Sequence, residues 1–425
     1  MTLQNKAKKT IRHLNKIHTK IPNTDRIVNI DLAGKNLIIT GVNGCGKTQL
    51  LKSLHSYLEE KIVNKQNTSV ESLENNLKYF NTYLSENSEA DVNYSHYKIQ
   101  RDITLGELVK AKTPPISIDS LESLVIDFHN NKSVFMLFNA NRQANIKESK
   151  SAVSKADLIK QASNTSIDAA TLFEEFLVSH ITSLAYAEST SVDNNPLEAD
   201  KIKTWFKKLN SDFRDLFEDD SLNLEFNSKE QTFFIHQNNR TPYRLQQLSS
   251  GFSSILSVYA NLLTKVELTS VTPNEVTGII FIDEIDAHLH VSLQRKILSF
   301  LSKSFPNVQF IVTTHSPFVV SSVSNAVIYD LSSLEQVDDL SMYSYESILD
   351  GLFNVLPISE SLQEKMLELT NLINNSSNLT KHENMVKITK LVADITPHES
   401  KLDSESAFFF KTAKLHLSKA QSGVL

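Results

Sequence analysis

The clearest chemical signal in this sequence lies at residues 41–48, which read Gly-Val-Asn-Gly-Cys-Gly-Lys-Thr. They match the pattern G-x-x-x-x-G-K-[ST] without a mismatch. Glycines at these spacings let successive main-chain N–H groups turn inward around phosphate oxygens. Lys47 would then reach the β- and γ-phosphates of a nucleotide, and the Thr48 hydroxyl would bind Mg²⁺. A glycine turn that only ends a strand is the alternative.

Two adjacent carboxylates, Asp283 and Glu284, form a second signal. They follow the apolar run Ile-Ile-Phe-Ile at 279–282, which is typical of a strand buried on both faces. Asp283 would hold Mg²⁺ directly or through water, and Glu284 would orient or activate an attacking water. His288 and His290 follow as a His-x-His pair. A zinc site is the alternative there, although no further ligand lies nearby at the usual spacing.

A histidine, His315, follows the apolar segment 308–314 and precedes Ser-Pro. It could hydrogen-bond to a γ-phosphate or to the attacking water, or it could be a strand-end histidine without a catalytic role. It lies 31 residues after Glu284. That distance allows one strand–helix–strand crossover, which would bring both side chains to the same carboxyl edge of a parallel sheet.

The segment 246–252, Gln-Gln-Leu-Ser-Ser-Gly-Phe, precedes a long apolar helix. Ser249 and the main-chain N–H of Gly251 could bind a phosphate at the N-terminus of that helix. Because residues 41–48 already supply one phosphate-binding element, a second one predicts composite sites that two chains share.

The periodicity of apolar residues indicates an α/β fold that would position these side chains. Strands are predicted at 26–32, 36–40, 96–100, 124–128, 133–138, 222–226, 232–236, 278–283 and 308–314. Helices are predicted from about 47 to 62, as an antiparallel pair between 150 and 220, over 252–266 and over 291–304. The Pro114–Pro115 pair predicts no regular structure around it. The last ninety or so residues are predicted to be mostly helical.

At residues 248–252 the sequence resembles the signature motif of ABC-type ATPases, usually Leu-Ser-Gly-Gly-Gln. Ser250 and Phe252 replace the usual glycine and glutamine. The order of the motifs also agrees with that family: phosphate loop, glutamine loop, signature, acidic strand, D-loop and switch histidine. In that family the signature of one subunit closes over the nucleotide bound by the other.

This resemblance implies ATP and Mg²⁺ as cofactors and assigns a role to each matching residue. It places nucleotide contacts at Asn43, Gly44, Cys45, Gly46, Lys47, Thr48, Gln49, Gln143, Ser249 and Gly251. It places Mg²⁺ ligands at Thr48, Gln143 and Asp283, catalysis at Glu284 and His315, and the D-loop at Asp286. Gln143 is the candidate for the glutamine loop, with Arg142 as a rival. No clear aromatic residue precedes the phosphate loop to stack on adenine.

Within the superfamily, residues 283–290 and the later Thr-Thr-His-Ser-Pro look like the RecF/SMC-like ATPases that include the overcoming-lysogenisation-defect group. The resemblance covers about residues 25–320, and it extends to the ATPase subunits of Septu, PARIS and retron-associated anti-phage systems. No Toprim or His-Asn-His nuclease pattern follows His315, so the resemblance implies a separate nuclease or toxin as partner. The alternatives are a DNA-repair ATPase that binds DNA directly, a regulatory module with little or no turnover, and a transporter ATPase.

The expected architecture is a P-loop NTPase of ABC-ATPase type with a mixed or parallel sheet. Its expected parts are ATPase lobe I with a β-subdomain at 1–149, a helical-hairpin insertion at 150–220, ATPase lobe II at 221–335 and a C-terminal helical extension at 336–425. The expected assembly is a dimer with composite nucleotide sites or a higher oligomer.

The composition of the chain excludes some of the remaining functional classes of protein. The 425 residues include 43 Lys and Arg against 49 Asp and Glu, a net charge of −6, which excludes a generally basic nucleic-acid coat. Two local basic faces, Lys6–Lys20 and Lys201–Lys208, could still follow a DNA backbone, or they are solvated helix faces.

The single cysteine, Cys45, excludes an internal disulfide and fits a reducing compartment. It is either a redox-sensitive thiol near a helix N-terminus or a small residue that fits the loop. No apolar run nears the length that spans a bilayer, and residues 1–20 lack the core of a secretory signal. A cytoplasmic protein without a membrane partner is expected, and a mitochondrial presequence is the weaker alternative.

Overall fold

The computed structural model describes residues 13–65, 70–112, 114–162, 168–269, 271–337, 340–341, 343–353, 359–374, 381–402 and 404–421. The chain forms two compact units, one up to Tyr343 and one from Ser344 onward. The first unit contains all the strands found in the described residues, and the second is helical.

The strands of the first unit form three sheets. They are β1 Leu14–Lys20, β2 Ile27–Asp31, β3 Asn36–Thr40, β4 Ile116–Ile118, β5 Ser133–Phe138, β6 Asn223–Asn227, β7 Thr232–His236, β8 Tyr243–Arg244, β9 Thr277–Ile282, β10 Val308–Thr313, β11 Ala326–Asp330 and β12 Glu335–Val337.

Helices connect and cover these sheets. In the first unit they are α1 Lys47–Ile62, α2 Val70–Glu86, α3 Tyr94–Lys112, α4 Leu121–His129, α5 Lys155–Ala162, α6 Phe173–Glu188, α7 Pro196–Phe217, α8 Ser250–Glu267, α9 Val291–Gln294, α10 Ile297–Ser304 and α11 Pro317–Val320. Those of the second unit are α12 Tyr345–Phe353, α13 Glu360–Asn374, α14 Lys381–Ile395 and α15 Ser404–Gln421.

The central sheet has the strand order β12-β11-β3-β10-β9-β5. Neighbouring strands from β11 to β5 are parallel, and β12 pairs antiparallel with β11. The register pairs Thr313 with Ile39, and Val312 with Ile282. The carboxyl ends of β3, β9 and β10 therefore meet at one edge of the sheet, where a parallel α/β fold places its ligands.

Helix α1 fixes the position of the loop that precedes it. Its apolar side chains at helical spacing, Leu50, Leu51, Leu54, Leu58 and Ile62, are almost fully buried against the central sheet and the β1–β2–β4 sheet. Each such side chain stabilises the fold by roughly 1.5–3 kcal/mol on burial. The start of α1 is thus held rigidly at the carboxyl end of β3.

The helical insertion predicted at 150–220 is an antiparallel pair, α6 and α7, that packs beside the buried helix α8. Trp205 Nε1 donates to Glu267 Oε1 at 2.7 Å, and the Tyr259 hydroxyl donates to Asp212 Oδ2 at 2.8 Å. These bonds join α7 to α8 and satisfy polar groups in a largely apolar interface.

Two predicted strands are wrong. Residues 96–100 lie inside α3, and residues 124–128 lie inside α4. Helices α2 and α3 form a hairpin in which the rings of Tyr83 and Tyr97 pack 4.1 Å apart, so tertiary packing overrides local β-propensity. In α4 the buried side chains share one helical face, which is why a run of apolar residues does not require a strand there.

Two proline-containing segments begin regular elements, and the prediction of no regular structure around Pro114–Pro115 is wrong. Strand β4 begins directly after Pro115, whose carbonyl accepts the N–H of His18 at 2.8 Å. Proline lacks a donor but keeps its acceptor and an extended φ, so it can lead into an edge strand. Ser316-Pro317 begins α11: the Ser316 hydroxyl accepts from Phe318 N at 3.1 Å, with proline at the first helical position.

Other differences concern short elements. The helix predicted over 291–304 is divided into α9 and α10. Strands β1, β8, β11 and β12 have no counterpart in the predictions, because each is short or lacks a clear alternation.

The helical unit after Ser344 has its own core, in which Met366, Ile388 and Phe410 are buried.

Candidate active site

The phosphate loop joins β3 to α1, as its sequence predicts. Gly41, Gly44 and Gly46 have φ values of 133°, 79° and 105°, a region that side chains disfavour. Gly46 is the N-cap of α1 and supplies no side-chain acceptor to the first turn. The first-turn N–H groups of α1 are therefore without a side-chain cap, the arrangement that suits an anion.

The Lys47 side chain folds back over the loop. Its ammonium donates to the carbonyl oxygens of Gly41 and Val42 at 2.9 and 3.0 Å, and it lies 3.8 Å from Cys45 Sγ. Only 6% of the Lys47 surface is exposed. The charge is thus held inside the loop, beside the position that a phosphate would take.

Asp283 binds the loop to the end of β9. Its Oδ1 accepts from the Thr48 hydroxyl at 3.0 Å and from the Thr313 hydroxyl at 2.7 Å. Asp283 is 3% exposed. Two hydroxyl donors on one carboxylate oxygen satisfy the buried charge in part and fix the orientation of the carboxylate toward α1.

Glu284 follows in a tight turn with φ of 45°. Its main-chain N–H donates to Thr313 Oγ1 at 2.7 Å, and the N–H of Ile285 donates to the Thr313 carbonyl at 2.9 Å. Thr313 therefore touches both halves of the acidic pair. Thr313 is absent from the predicted site residues, although a polar residue at the end of a buried strand was a visible signal.

Arg142 lies behind the same turn. Its Nη1 donates to the carbonyl of Asp283 at 2.8 Å, and its Nη2 donates to those of Glu284 and Ile285 at 3.2 and 3.0 Å. Burial lowers its pKa to about 10, partly offset by the charges of Asp286 and the acidic pair, so the guanidinium stays charged at neutral pH. As a rival of Gln143 for the glutamine loop, Arg142 would contact the nucleotide. In the structure its guanidinium instead bonds to the main chain of this turn.

His315 stands at the same edge of the sheet. Burial lowers its pKa, and the charge of Lys47 lowers it further, while Asp286, Glu284 and Asp283 raise it. The net direction is downward, so the imidazole is neutral at pH 7 and can accept a hydrogen bond. Lys47 and these acidic residues are the side chains that the sequence predicts to share a site with His315.

Two further bonds hold the segments on either side of His315. Thr314 Oγ1 bonds to Asp286 Oδ1, and the Ser316 hydroxyl donates to Gln294 Oε1 at 2.6 Å. Asp286, the residue matched to the D-loop, is thereby tied to the strand end beside the switch histidine.

The start of α8 presents the signature segment. Ser249 is the N-cap of α8, and its side chain makes no capping hydrogen bond. Gly251 packs so tightly that a Cβ there would lie 2.9 Å from the carbonyl oxygen of His288, which explains the glycine by close approach of two backbones. Phe252 stacks on Phe217 of α7 with ring centroids 4.0 Å apart, so its ring serves packing between helices.

The predicted glutamine-loop residue lies between two anchored neighbours. Gln143 follows Arg142 and precedes Ala144, whose N–H donates to Ser253 Oγ and to its carbonyl oxygen at 3.0 and 3.2 Å. The Gln143 side chain itself is exposed. The structure thus ties the main chain beside Gln143 to α8, and among the described residues no hydrogen bond joins the Gln143 amide to the acidic pair.

A turn after β11, which was not predicted from the sequence, supports the phosphate loop from the other side. Ser332 Oγ accepts the N–H of Val42 at 2.8 Å, and Asp330 Oδ1 accepts the N–H of Ser332 at 2.8 Å. Arg26 donates to the Ser332 carbonyl at 2.7 Å. These contacts depend on β11 lying beside β3, so no local pattern indicated them.

The donor set suits Mg²⁺. A hydroxyl and a carboxylate, from Thr48 and Asp283, lie at hydrogen-bond distance beside a helix N-terminus, and Mg²⁺ binds through one or two such oxygens together with substrate phosphates and water. His290 instead caps α9 by accepting from Ser292 N at 3.4 Å. In the part of the chain that the structure describes, no three His, Cys, Asp or Glu side chains form a metal-binding group.

The basic faces are partly neutralised. Lys201, Lys203 and Lys208 bond to Glu198, Glu188 and Asp212. In the other face Lys16 and Lys20 bond to Asp31 and Asp25, and the part at 1–12 lies outside the described residues. None of the helices in the described ranges is long and apolar enough to span a bilayer.

A parallel sheet with a phosphate loop after β3, an acidic pair after β9 and a histidine after β10 defines an ABC-type P-loop ATPase. Residues 37–321 match the sequence profile of the family described as "AAA domain, putative AbiEii toxin, Type IV TA system". Because the match covers more than half of the chain, the protein belongs to that family.

Curated relatives match over shorter segments. A "Retron Ec83 probable ATPase" of Escherichia coli is 43% identical over 102 residues, 23% of this chain and 19% of that protein. A "Retron Vc95 probable ATPase" of Vibrio cholerae serotype O1 biovar El Tor is 34% identical over 91 residues, 21% and 18% of the two chains. "Septu protein PtuA" of Bacillus thuringiensis is 33% identical over 103 residues, 23% and 25%. The matched segments span about a fifth to a quarter of these relatives.

Solved SMC head structures align over most of the chain at low similarity. An Smc head bound to the C-winged helix domain of ScpA covers 76% of this chain and 96% of its own, at 12% identity and a TM-score of 0.36. An SMC head domain from Thermotoga maritima covers 77% and 98%, at 13% identity and a TM-score of 0.34.

Proposed function

We propose that this protein binds ATP with Mg²⁺ and hydrolyses it. The observation that carries the proposal is the contact between Thr48 and Asp283, 3.0 Å apart, because it joins the phosphate loop to the acidic strand end. Lys47, the uncapped start of α1 and His315 lie around this contact. Together they supply positive charge, main-chain donors and a neutral imidazole where a triphosphate would lie.

In this proposal each residue has a distinct task. Lys47 and the loop N–H groups hold the β- and γ-phosphates, while Thr48 and Asp283 hold Mg²⁺, which neutralises phosphate charge when bound. Glu284 orients the attacking water and accepts its proton, and His315 accepts a hydrogen bond from that water or donates one to the γ-phosphate. Asn43, Gly44, Cys45, Gly46 and Gln49 complete the loop contacts, and Gln143 approaches the metal when the site closes.

We further propose that two copies share each site. Ser249 is exposed, and its hydroxyl makes no capping bond at the start of α8. Among the described residues, no hydrogen bond joins residues 246–252 to residues 41–48. A serine hydroxyl and a helix N-terminus that make no hydrogen bond to the chain's own loop suit the γ-phosphate bound by a second copy.

The biological role we propose is anti-phage defence, in which ATP binding and hydrolysis control a separate nuclease or toxin. The names of the retron and Septu relatives support this role. Direct DNA contact has less support, because most lysines of the Lys201–Lys208 face bond to acidic neighbours.

Replacing Lys47 by alanine tests both parts of the proposal. We expect Lys47→Ala to lose ATP binding and turnover, because the loop loses its charge toward the β- and γ-phosphates, and to lose protection of cells in plaque assays with the neighbouring genes. Lys52→Ala is the matched control, since Lys52 is exposed on the same helix.

The two readouts separate the two parts. Retained ATP affinity in Lys47→Ala would contradict the loop assignment. If Lys47→Ala loses turnover but neither wild type nor variant lowers the plaque count, the protein is still an ATPase and the defence role is contradicted.

A further inference from the structure

Every main-chain N–H and C=O group of the turn at 283–285 makes a hydrogen bond. On the donor side, the N–H groups of Asp283, Glu284 and Ile285 bond to the Phe138 carbonyl at 2.8 Å, to the Thr313 hydroxyl at 2.7 Å and to the Thr313 carbonyl at 2.9 Å. On the acceptor side, the Arg142 guanidinium donates hydrogen bonds to all three carbonyl oxygens. A buried turn whose main-chain groups are fully paired has little freedom to change shape.

The conformation that these bonds enforce is an unfavourable one. Glu284 has φ of 45°, in the left-handed region that residues with a Cβ disfavour. Such conformations persist where the surroundings over-determine them, and they concentrate at functional sites. The direction of the Glu284 side chain therefore depends on the groups that hold its main chain.

We propose that Arg142 is a positioning residue for ATP hydrolysis, which acts by holding Glu284 in the conformation that directs its carboxylate at the attacking water. This inference rests on the proposed function. All four hydrogen bonds of the guanidinium go to main-chain carbonyls, three in the turn and one at Asn139. Arg142 thus acts through Glu284 and not on the nucleotide.

Only arginine suits this task among the cationic residues. Its planar fork places two nitrogens in fixed directions, and here each nitrogen serves two carbonyls. A lysine ammonium is a single nitrogen and cannot span three consecutive carbonyls, although it keeps the charge. Arg142 is 9% exposed, so water cannot readily replace the lost donors.

Arg142→Lys is therefore the informative variant. We expect kcat to fall by about 100-fold, since a small misplacement of a reacting group has an effect of that order, while the Kd for ATP changes less than about threefold. Arg101→Lys is the matched control, because Arg101 lies on α3 and bonds only to its neighbour Asp102 among the described residues. A kcat for Arg142→Lys equal to that of wild type would overturn the inference.

A double-mutant cycle distinguishes positioning from a general structural role. In the Glu284→Gln background, adding Arg142→Lys should lower the residual rate by less than about threefold, because the group that Arg142 positions is already gone. A full 100-fold further loss would show that Arg142 acts elsewhere. In Arg142→Ala, millimolar guanidinium ion should restore part of the turnover, and no recovery in a folded variant would count against the inference.

The same measurements separate this inference from the proposed function. No turnover by wild-type protein with ATP and Mg²⁺ would overturn both. Wild-type turnover that is lost in Glu284→Gln and kept in Arg142→Lys would overturn only the role of Arg142.

Discussion

At the scale of single residues, one carboxylate oxygen organises the site. Asp283 Oδ1 receives hydroxyl donors from α1 and from β10, so three segments far apart in sequence converge on one atom. A charge-assisted hydrogen bond is roughly twice as strong as a neutral one. Donors within the chain therefore fix the orientation of Asp283, and such preorganisation is the condition for efficient electrostatic stabilisation.

Replacing Thr313 by valine tests this arrangement. Valine keeps the shape but removes the donor to Asp283 and the acceptor for the N–H of Glu284. We expect Thr313→Val to raise the Mg²⁺ concentration for half-maximal turnover by about tenfold, the effect of losing a bond to a charged group. Thr204→Val is the control, because the Thr204 hydroxyl is exposed and bonds within α7. An unchanged Mg²⁺ requirement would contradict the assigned role of Thr313.

Residue spacing was enough to predict part of the site. The loop pattern and the two strand ends place Lys47, Thr48 and Asp283 at one edge of a parallel sheet, and the structure brings them together. The bonds of Thr313, Arg142 and Ser332 could not be predicted, because each joins segments that only the tertiary fold places side by side. Those residues position the others, and apart from the polar strand end at Thr313 no local pattern marks such a role.

At the scale of elements, the helical insertion is locked to α8 by aromatic packing. Phe217 stacks on Phe252, and His180 lies among Phe176, Trp205 and Phe206 between α6 and α7. An aromatic residue in the signature segment thus connects the insertion to the start of α8. This contact explains why phenylalanine stands where the resembling family has glutamine.

His180 should make the stability of the protein depend on pH. Burial, assisted by the charge of Lys155, lowers its pKa to about 4 from an ordinary value of 6.5, although Glu198 raises it slightly. The unfolded chain binds this proton more tightly, so stability is present above about pH 6.5 and is lost as the pH falls toward 4. The single group would cost about 2 kcal/mol of unfolding free energy between pH 7 and pH 5.

Urea unfolding at these two pH values, for wild type and His180→Phe, checks this expectation. Phenylalanine suits the aromatic surroundings and does not titrate, so the variant should lose about 2 kcal/mol less than wild type on acidification. His96→Phe, at an exposed position on α3, is the control. An equal loss in wild type and His180→Phe would contradict a buried neutral histidine.

Elements with a strong apolar period were predictable, and short ones were not. Helices α1 and α8 and strands β3, β9 and β10 bury continuous or strictly periodic apolar sets, so their types follow from the sequence. Residues 96–100 favour a strand by composition alone, yet they pair with α2 as a helix. That choice depends on the ring contact between Tyr83 and Tyr97, which lies outside any local window.

At the scale of the whole molecule, the proposed composite site requires two copies of the chain. Each chain carries one phosphate loop and one signature segment, and within a chain Gly251 packs on His288 in the stretch after the acidic pair. The signature segment thus packs on the stretch after the acidic pair of its own chain, while in the proposed dimer it would contact the nucleotide of the other chain. Closure of one nucleotide site would then change the conformation of the second.

Mixing two inactive variants tests this claim most directly. Lys47→Ala lacks a working phosphate loop, and Ser249→Arg places a bulky charge in the signature segment, so neither should hydrolyse ATP alone. In a mixed dimer, the intact loop of one chain faces the intact signature of the other.

ATP turnover of the equimolar mixture is the decisive measurement. We expect recovery to about a quarter of the wild-type rate, because half of the randomly formed two-fold dimers would contain one complete site of two. Turnover by Ser249→Arg alone, or a mixture no more active than its components, would contradict composite sites.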